Sequence, residues 1–124
     1  MNSVSAEVMG SLQYAGAHLH TPLFVVLGHE GCGAVTAAVD TMLRGVQHES
    51  RIQILADSIA PGLTGLDRQL PVKARLHQAV EQNVRWSMQR LLATPEGRSA
   101  VEERRAKIVG AMYEIASGRV RWLE

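Results

Sequence analysis

The chain has 124 residues, of which 46% are hydrophobic and 20% are charged, and its formal net charge at pH 7 is +1. This length suits one domain, residues 1–124, and the balanced charge gives no sign of disorder or of a surface that binds nucleic acid. No apolar run approaches the roughly 18 residues of a membrane-spanning helix, and the N-terminus does not have the pattern of a signal peptide. The sequence therefore predicts a soluble, cytoplasmic protein that binds neither nucleic acid nor membrane.

The first third of the chain predicts a helix, a strand and a second helix. In residues 4–19, apolar residues recur every three or four positions, at Val4, Val8, Leu12, Ala15 and Leu19, which predicts an amphipathic helix with these residues along one face. The run LFVVL, residues 23–27, has the composition of a strand covered on both faces. Residues 28–33 form a predicted glycine-rich turn, and residues 34–45 a helix that ends at Gly45.

The remaining residues predict three more helices and a hairpin. Residues 47–70 are interpreted as a surface excursion with a short helix over 51–60, because Pro61, Gly62 and Gly65 interrupt it. A long helix follows Pro71 and stops at Pro95, with a predicted core stripe at every fourth residue: Val72, Leu76, Val80, Val84, Met88 and Leu92. A short polar helix, residues 96–105, precedes two apolar runs around Ala116-Ser117-Gly118, which predict a hairpin. The predicted fold is α/β, with a small sheet of parallel and antiparallel strands flanked by helices.

The motif of greatest chemical interest is GHEGCG, residues 28–33, which contains His29 and the only cysteine of the chain, Cys32. An imidazole and a thiolate three residues apart, between glycines, can point to one metal ion, and zinc accepts both ligands. The start of a helix at Cys32 favours the thiolate form that a metal requires. A lone cysteine is also compatible with a small buried hydrophobe or a reactive thiol, so the motif alone leaves metal binding open.

Three segments in order resemble a known family. The stretch SLQYAGAHLHTPLFVVLGHEGCGAVTAAV, the stretch EQNVRWSMQRLL before Pro95 and the stretch IVGAMYEIASGRVRWL are similar to the later part of β-class carbonic anhydrases. The resemblance covers most of the chain. It implies that His29 and Cys32 are zinc ligands, that Gly28, Gly31 and Gly33 form the turn that supports them, and that zinc-bound hydroxide reversibly hydrates CO2 to bicarbonate.

One part of the family pattern does not occur in these 124 residues. The family takes a further zinc cysteine, and an Asp–Arg pair that manages the zinc-bound water, from an earlier C-x-D-x-R motif, so the chain resembles a shortened form that lacks this N-terminal segment. Whether it is an enzyme therefore stays open.

Other histidines and acids are poor substitutes for the missing ligand. Five strand residues separate His18 and His20 from His29 by roughly 16 Å. His48, His77, Asp40 and Glu30 are residue types that usually face solvent.

Two functions remain compatible with these residues. The first is a carbonic anhydrase for which the missing ligand and the Asp–Arg pair either come from another chain or are dispensable. The second is a non-catalytic, self-associating protein, either without metal or with a closed zinc site built from two histidines and two cysteines of two copies. Because residues 23–27 would have no parallel neighbour on one side, an exposed strand edge also predicts a dimer or higher oligomer.

Overall fold

A computed structural model describes residues 4–123, which form an α/β structure with one mixed sheet. The elements are α1 (Ala6–Ala17), β1 (Leu23–His29), α2 (Gly33–Arg44), α3 (Ser50–Ile59), a 3₁₀ turn (Ala60–Leu63), α4 (Val72–Ala93), α5 (Pro95–Glu102), β2 (Lys107–Glu114) and β3 (Arg119–Leu123). This order confirms the predicted fold class. Within residues 4–123, no helix combines the length and apolar character that crossing a membrane requires.

The sheet has the order β1-β2-β3. β1 runs parallel to β2, from Leu23 opposite Lys107 to His29 opposite Tyr113. β2 and β3 form the predicted hairpin, with Gly118 at a φ of 72° in its turn. Among the described strands, β1 has β2 as its only neighbour, which confirms the predicted unpaired edge.

Helix α4 packs against one face of β1 and β2. The approach is close at Gly28, where an added Cβ would lie 2.6 Å from Cγ2 of Val84. The other face of β1 is open, because Leu23, Val25 and Leu27 are 46%, 43% and 41% exposed. The prediction that this strand is covered on both faces is therefore wrong. A continuous apolar run reports hydrophobicity, but it does not report how many layers pack on a sheet.

The core stripe of α4 differs from the predicted one at both ends. Val80 and Val84 are buried as predicted, but Val72 is 72% exposed and Leu92 is 36% exposed. A helix turns about 100° per residue, so each step of four residues advances roughly 40° around the axis, and five steps reach the opposite side. The buried residues instead follow a mixed spacing of one, three and four, namely Ala79, Val80, Asn83, Val84, Ser87 and Leu91.

Residues 47–70 are part of the core, so their interpretation as a surface excursion is wrong. Ala56, Ile59, Leu63 and Leu66 are each less than 9% exposed. Their spacing of three, four and three continues an inward face from α3 through the 3₁₀ turn, because Pro61 lies in the first turn of that short helix and does not end the face. The proline and glycines change the type of helix without moving the chain away from the core.

Helix α1 is shorter than the sequence pattern predicts and contains no fully buried residue. Val8 is 41% exposed, and Leu19 lies beyond the helix with 65% exposure. Met9 and Leu12 are the residues of α1 that pack against the core. Two members of the predicted stripe, Val4 and Leu12, therefore do pack against the core, whereas Val8 and Leu19 do not.

Candidate metal centre

His29 and Cys32 lie together at the carboxyl end of β1. His29 is the last residue of the strand, and Cys32 directly precedes α2. This is the end of a parallel sheet at which α/β proteins commonly place their ligands. The structure thus puts both predicted ligands where a site would form.

The predicted turn of residues 28–33 is shorter than the sequence suggests. Gly28 still belongs to β1, paired with Met112, and its small size serves the contact with α4. Gly31 has a φ of 66°, the left-handed conformation that glycine adopts at little cost. Gly33 is the first residue of α2, and a side chain there would meet no atom within 4 Å. Of the three glycines, only Gly31 has a backbone conformation that requires glycine.

The ring of His29 is held in one orientation by its own loop. Its Nδ1 lies 3.0 Å from the carbonyl oxygen of Glu30. A carbonyl oxygen only accepts hydrogen bonds, so Nδ1 carries the proton, and in the neutral ring Nε2 then carries the lone pair. Many metal-binding histidines are oriented in this way, with one ring nitrogen bonded to a carbonyl and the other facing the metal.

Cys32 occupies the N-cap position of α2. It is 3% exposed and is a free thiol, and its side chain makes no capping hydrogen bond. Its carbonyl oxygen accepts the hydroxyl of Thr36 at 3.0 Å, which fixes the backbone at this point.

Glu30 has a role that the sequence does not reveal. Its carboxylate Oε1 accepts a hydrogen bond from the backbone N–H of Ala116 at 2.9 Å, and its own N–H donates to the carbonyl of Tyr113 at 3.1 Å. These two bonds attach the loop that contains His29 to the β2–β3 hairpin. No local pattern could have indicated this, because Glu30 and Ala116 are 86 residues apart in sequence.

Within residues 4–123, no three or more His, Cys, Asp or Glu side chains lie close enough together to hold a metal ion. The other candidates are engaged elsewhere. His48 Nε2 lies 3.0 Å from a backbone carbonyl oxygen of α2. His77 and Asp40 pair with charged side chains on their own helices, at 3.4 and 3.0 Å. The described residues therefore supply two ligands of the type that zinc prefers and no third.

A cavity of about 380 Å³ lies at the opposite end of the sheet from His29. Phe24 and Ile108, near the amino ends of β1 and β2, form its floor, and Met9 and Leu12 of α1 form one wall. Neither His29 nor Cys32 lines this cavity. The candidate metal site and this cavity are thus separate features.

Replacing Gly31 with alanine should destabilise the loop without any steric clash. An added Cβ would meet nothing within 4 Å, so the cost comes from the positive φ alone, about 1–2 kcal/mol of unfolding free energy. The matched control is Gly33→Ala, at a position that is equally open and has no positive φ. Urea denaturation of both variants measures the difference, and equal stability of the two would contradict the argument.

Comparison with known proteins identifies the family. The model of the carbonic anhydrase family matches residues 1–120. A carbonic anhydrase of Mycolicibacterium smegmatis is 33% identical over 122 residues, which are 94% of this chain and 56% of that protein. Carbonic anhydrase 2 of Mycobacterium tuberculosis is 32% identical over 120 residues, with the same coverage of 94% and 56%. The chain belongs to the β-carbonic anhydrase family.

Solved structures of β-carbonic anhydrases have the same fold. One of two tetrameric enzymes from Sordaria macrospora superimposes with a TM-score of 0.85 at 22% identity, covering 99% of this chain and 62% of the other. The β-carbonic anhydrase of Coccomyxa, solved with acetazolamide, gives a TM-score of 0.81 at 22% identity, covering 94% and 53%. The chain thus spans about half the length of the curated β-carbonic anhydrases it matches. Its 124 residues include a single cysteine, Cys32.

Proposed function

We propose that this chain is a zinc-binding β-carbonic anhydrase in which His29 and Cys32 are two of the metal ligands, and that the reaction is the reversible hydration of CO2. The observation that carries the proposal is the hydrogen bond between Nδ1 of His29 and the carbonyl of Glu30. This hydrogen bond places the lone pair of the neutral ring on Nε2. The free thiol of Cys32 follows three residues later in the same loop.

An imidazole and a thiolate are ligands that suit zinc, but residues 4–123 bring together only these two. Two protein ligands are too few for a catalytic zinc. A catalytic zinc takes about three protein ligands and keeps one position open. When bound, zinc acts as a Lewis acid that makes water nucleophilic at neutral pH. His29 would donate through an oriented ring, and Cys32 would hold negative charge at the start of α2. Hydration of CO2 therefore requires at least one more donor, from outside the described residues.

A second function is favoured by the finding that the described residues contain no group of three ligands. Two copies that meet at these loops would contribute two histidines and two cysteines, a closed tetrahedral set with no position for water. Such a zinc would stabilise an oligomer and would not hydrate CO2.

Association of copies fits both functions. The edge of β1 has no neighbouring strand within residues 4–123, and exposed strand edges pair readily with other chains. The Sordaria macrospora relatives are described as tetrameric. We therefore infer that this chain is a homo-oligomer.

Native mass spectrometry of the purified protein tests the two functions together, because it counts chains and zinc ions in one spectrum. We expect bound zinc. One zinc per chain with stopped-flow CO2 hydration above the buffer rate would support the enzyme. One zinc per two chains without hydration would support the closed site.

The control for this measurement is the same protein with His77→Asn, which removes a half-exposed histidine that pairs with Glu81 on α4. It should bind as much zinc as the unmodified chain. A protein that binds no zinc after refolding with excess metal would contradict both functions.

A further inference from the structure

Glu30 lies between His29 and Cys32 in sequence and makes hydrogen bonds through three of its groups. Its backbone N–H donates to the carbonyl of Tyr113 at 3.1 Å. Its carboxylate Oε1 accepts the N–H of Ala116 at 2.9 Å. Its carbonyl oxygen lies 3.0 Å from Nδ1 of His29. One residue therefore connects the ring of His29 to the β2–β3 hairpin.

The backbone bond alone does not fix the carbonyl of Glu30. His29, the last residue of β1, is paired with Tyr113, and the bond from the N–H of Glu30 to Tyr113 extends this parallel pairing past the end of the strand. The carbonyl of Glu30 belongs to the next peptide group, which it shares with Gly31. Gly31 has a φ of 66°, and glycine is the residue with the widest conformational freedom. This peptide group therefore needs a restraint from elsewhere.

The carboxylate of Glu30 supplies a second point of attachment. It accepts the N–H of Ala116, and a hydrogen bond to a carboxylate is about twice as strong as one between neutral groups. The turn that contains Ala116 is itself held, because the N–H of Gly118 donates to the carbonyl of Glu114 and the hydroxyl of Ser117 donates to the carboxylate of Glu114, both at 2.8 Å. Attachment through the backbone and through the side chain restricts rotation of the peptide group between them.

The contacts of Glu30 are those of a support and not of a metal ligand. Within residues 4–123, no three side chains of the ligating types come together, so the carboxylate of Glu30 does not complete a metal site with His29 and Cys32. It bonds to the hairpin instead, while the carbonyl of the same residue faces the imidazole. Groups that bond to the second nitrogen of a metal-binding histidine fix its tautomer and its orientation.

We propose that Glu30 is a positioning residue for the zinc site. Its carboxylate, held by the N–H of Ala116, fixes the direction of its own carbonyl, and that carbonyl keeps the proton of His29 on Nδ1 and the lone pair on Nε2. The inference rests on the proposed zinc function, which it deepens. Loss of a group that orients a ligand lowers metal affinity by about 10–100-fold, and the carboxylate acts one step further from the ring, so we expect about a tenfold effect.

Glu30→Ala tests this role because it removes the carboxylate and keeps the backbone. The affinity for zinc, measured by competition with a chromophoric chelator, should fall by about tenfold. The fold should persist, since the lost bond is exposed to solvent, and far-UV circular dichroism checks this. The matched control is Glu102→Ala, the same change at an exposed residue at the end of α5, and it should leave the affinity unchanged.

Two conservative variants separate position from charge. Glu30→Gln keeps the length of the side chain and an oxygen acceptor but loses the charge, and it should retain most of the affinity. Glu30→Asp keeps the charge but is one CH₂ group too short for the same bond, and it should resemble Glu30→Ala. A negative charge near a cation would also raise affinity without orienting anything. If aspartate restored the affinity and glutamine did not, charge would be the cause and the proposal would be wrong.

The tautomer of His29 gives a readout that needs no metal. In the zinc-free chain under mildly alkaline conditions, the ¹⁵N chemical shifts of the ring should place the proton on Nδ1. In Glu30→Ala the ring is released from a fixed carbonyl and can carry its proton on either nitrogen, so the shifts should move toward a mixture. Identical shifts in the two proteins would overturn the proposal. If the shifts changed as expected but neither protein bound zinc, the proposed function would fail while the positioning of His29 stood.

Discussion

Replacing Cys32 with serine should remove bound zinc while leaving the fold intact. Serine does not provide the thiolate that zinc prefers, so the affinity for zinc should fall. Loss of a residue that only orients a metal ligand lowers metal affinity by about 10–100-fold, and loss of the ligand itself should lower it further. The fold should survive because Cys32 is the N-cap of α2 without a side-chain capping bond, and serine is among the best N-cap residues. Zinc retained after gel filtration, measured by plasma mass spectrometry, gives the result.

Two further measurements define the role of Cys32. Cobalt substituted for zinc should show a thiolate-to-metal charge-transfer absorption in the unmodified chain and not in Cys32→Ser. His77→Asn should leave both the metal content and the absorption unchanged. Full zinc retention by a folded Cys32→Ser variant would refute the assignment of this residue as a ligand.

Replacing Gly28 with alanine should destabilise the chain by about 3 kcal/mol, the upper part of the range for overpacked cores. An added Cβ would lie 2.6 Å from Cγ2 of Val84, 2.9 Å from Cγ1 of Val80 and 3.0 Å from Sδ of Met112. Valine on a helix has one strongly preferred rotamer, so these methyl groups cannot rotate away cheaply. Either α4 or β1 must move, and β1 is the strand that ends in His29.

Gly10→Ala is the matched control for Gly28→Ala. Gly10 lies inside α1, where an added Cβ meets nothing within 4 Å. Alanine in a helix interior is more stable than glycine by about 0.5–1 kcal/mol, so this variant should be stabilised. Urea denaturation should thus give opposite signs for the same chemical change at the two positions. Two destabilised variants, or two neutral ones, would show that the close packing of Gly28 is not the cause.

Local features of this fold could be predicted from the sequence because their causes are local. Gly45, at a φ of 66°, ends α2 where the sequence places a C-terminal glycine. Helix α4 ends just before Pro95, the proline at which the sequence predicts that the long helix stops. The hairpin turn at Gly118 was predictable for the same reason. His29 and Cys32 are also close in sequence, and the structure places both at one end of β1.

Features that depend on distant residues could not be predicted in this way. β1 is covered on one face only because α4 packs on that face. The composition of LFVVL contains no information about where α4 packs, so it could not predict this coverage. The hydrogen bond from Ala116 to Glu30 joins two loops that share no pattern. Residues 47–70 contain both strong turn formers and a core stripe, and the core contacts of Ile59 and Leu63 prevail over the turn signal. In each case a tertiary contact decides the outcome.

The parallel pairing of β1 with β2 has a consequence for synthesis of the chain. Leu23 meets Lys107, so the strand partner of β1 leaves the ribosome only after all of the helices α2 to α5. Until then, none of the strands described here pairs with the apolar strand β1, and exposed segments of this kind are prone to aggregate. Nascent chains halted before β2 should therefore bind chaperones through residues 23–27, and chains extended past β3 should release them.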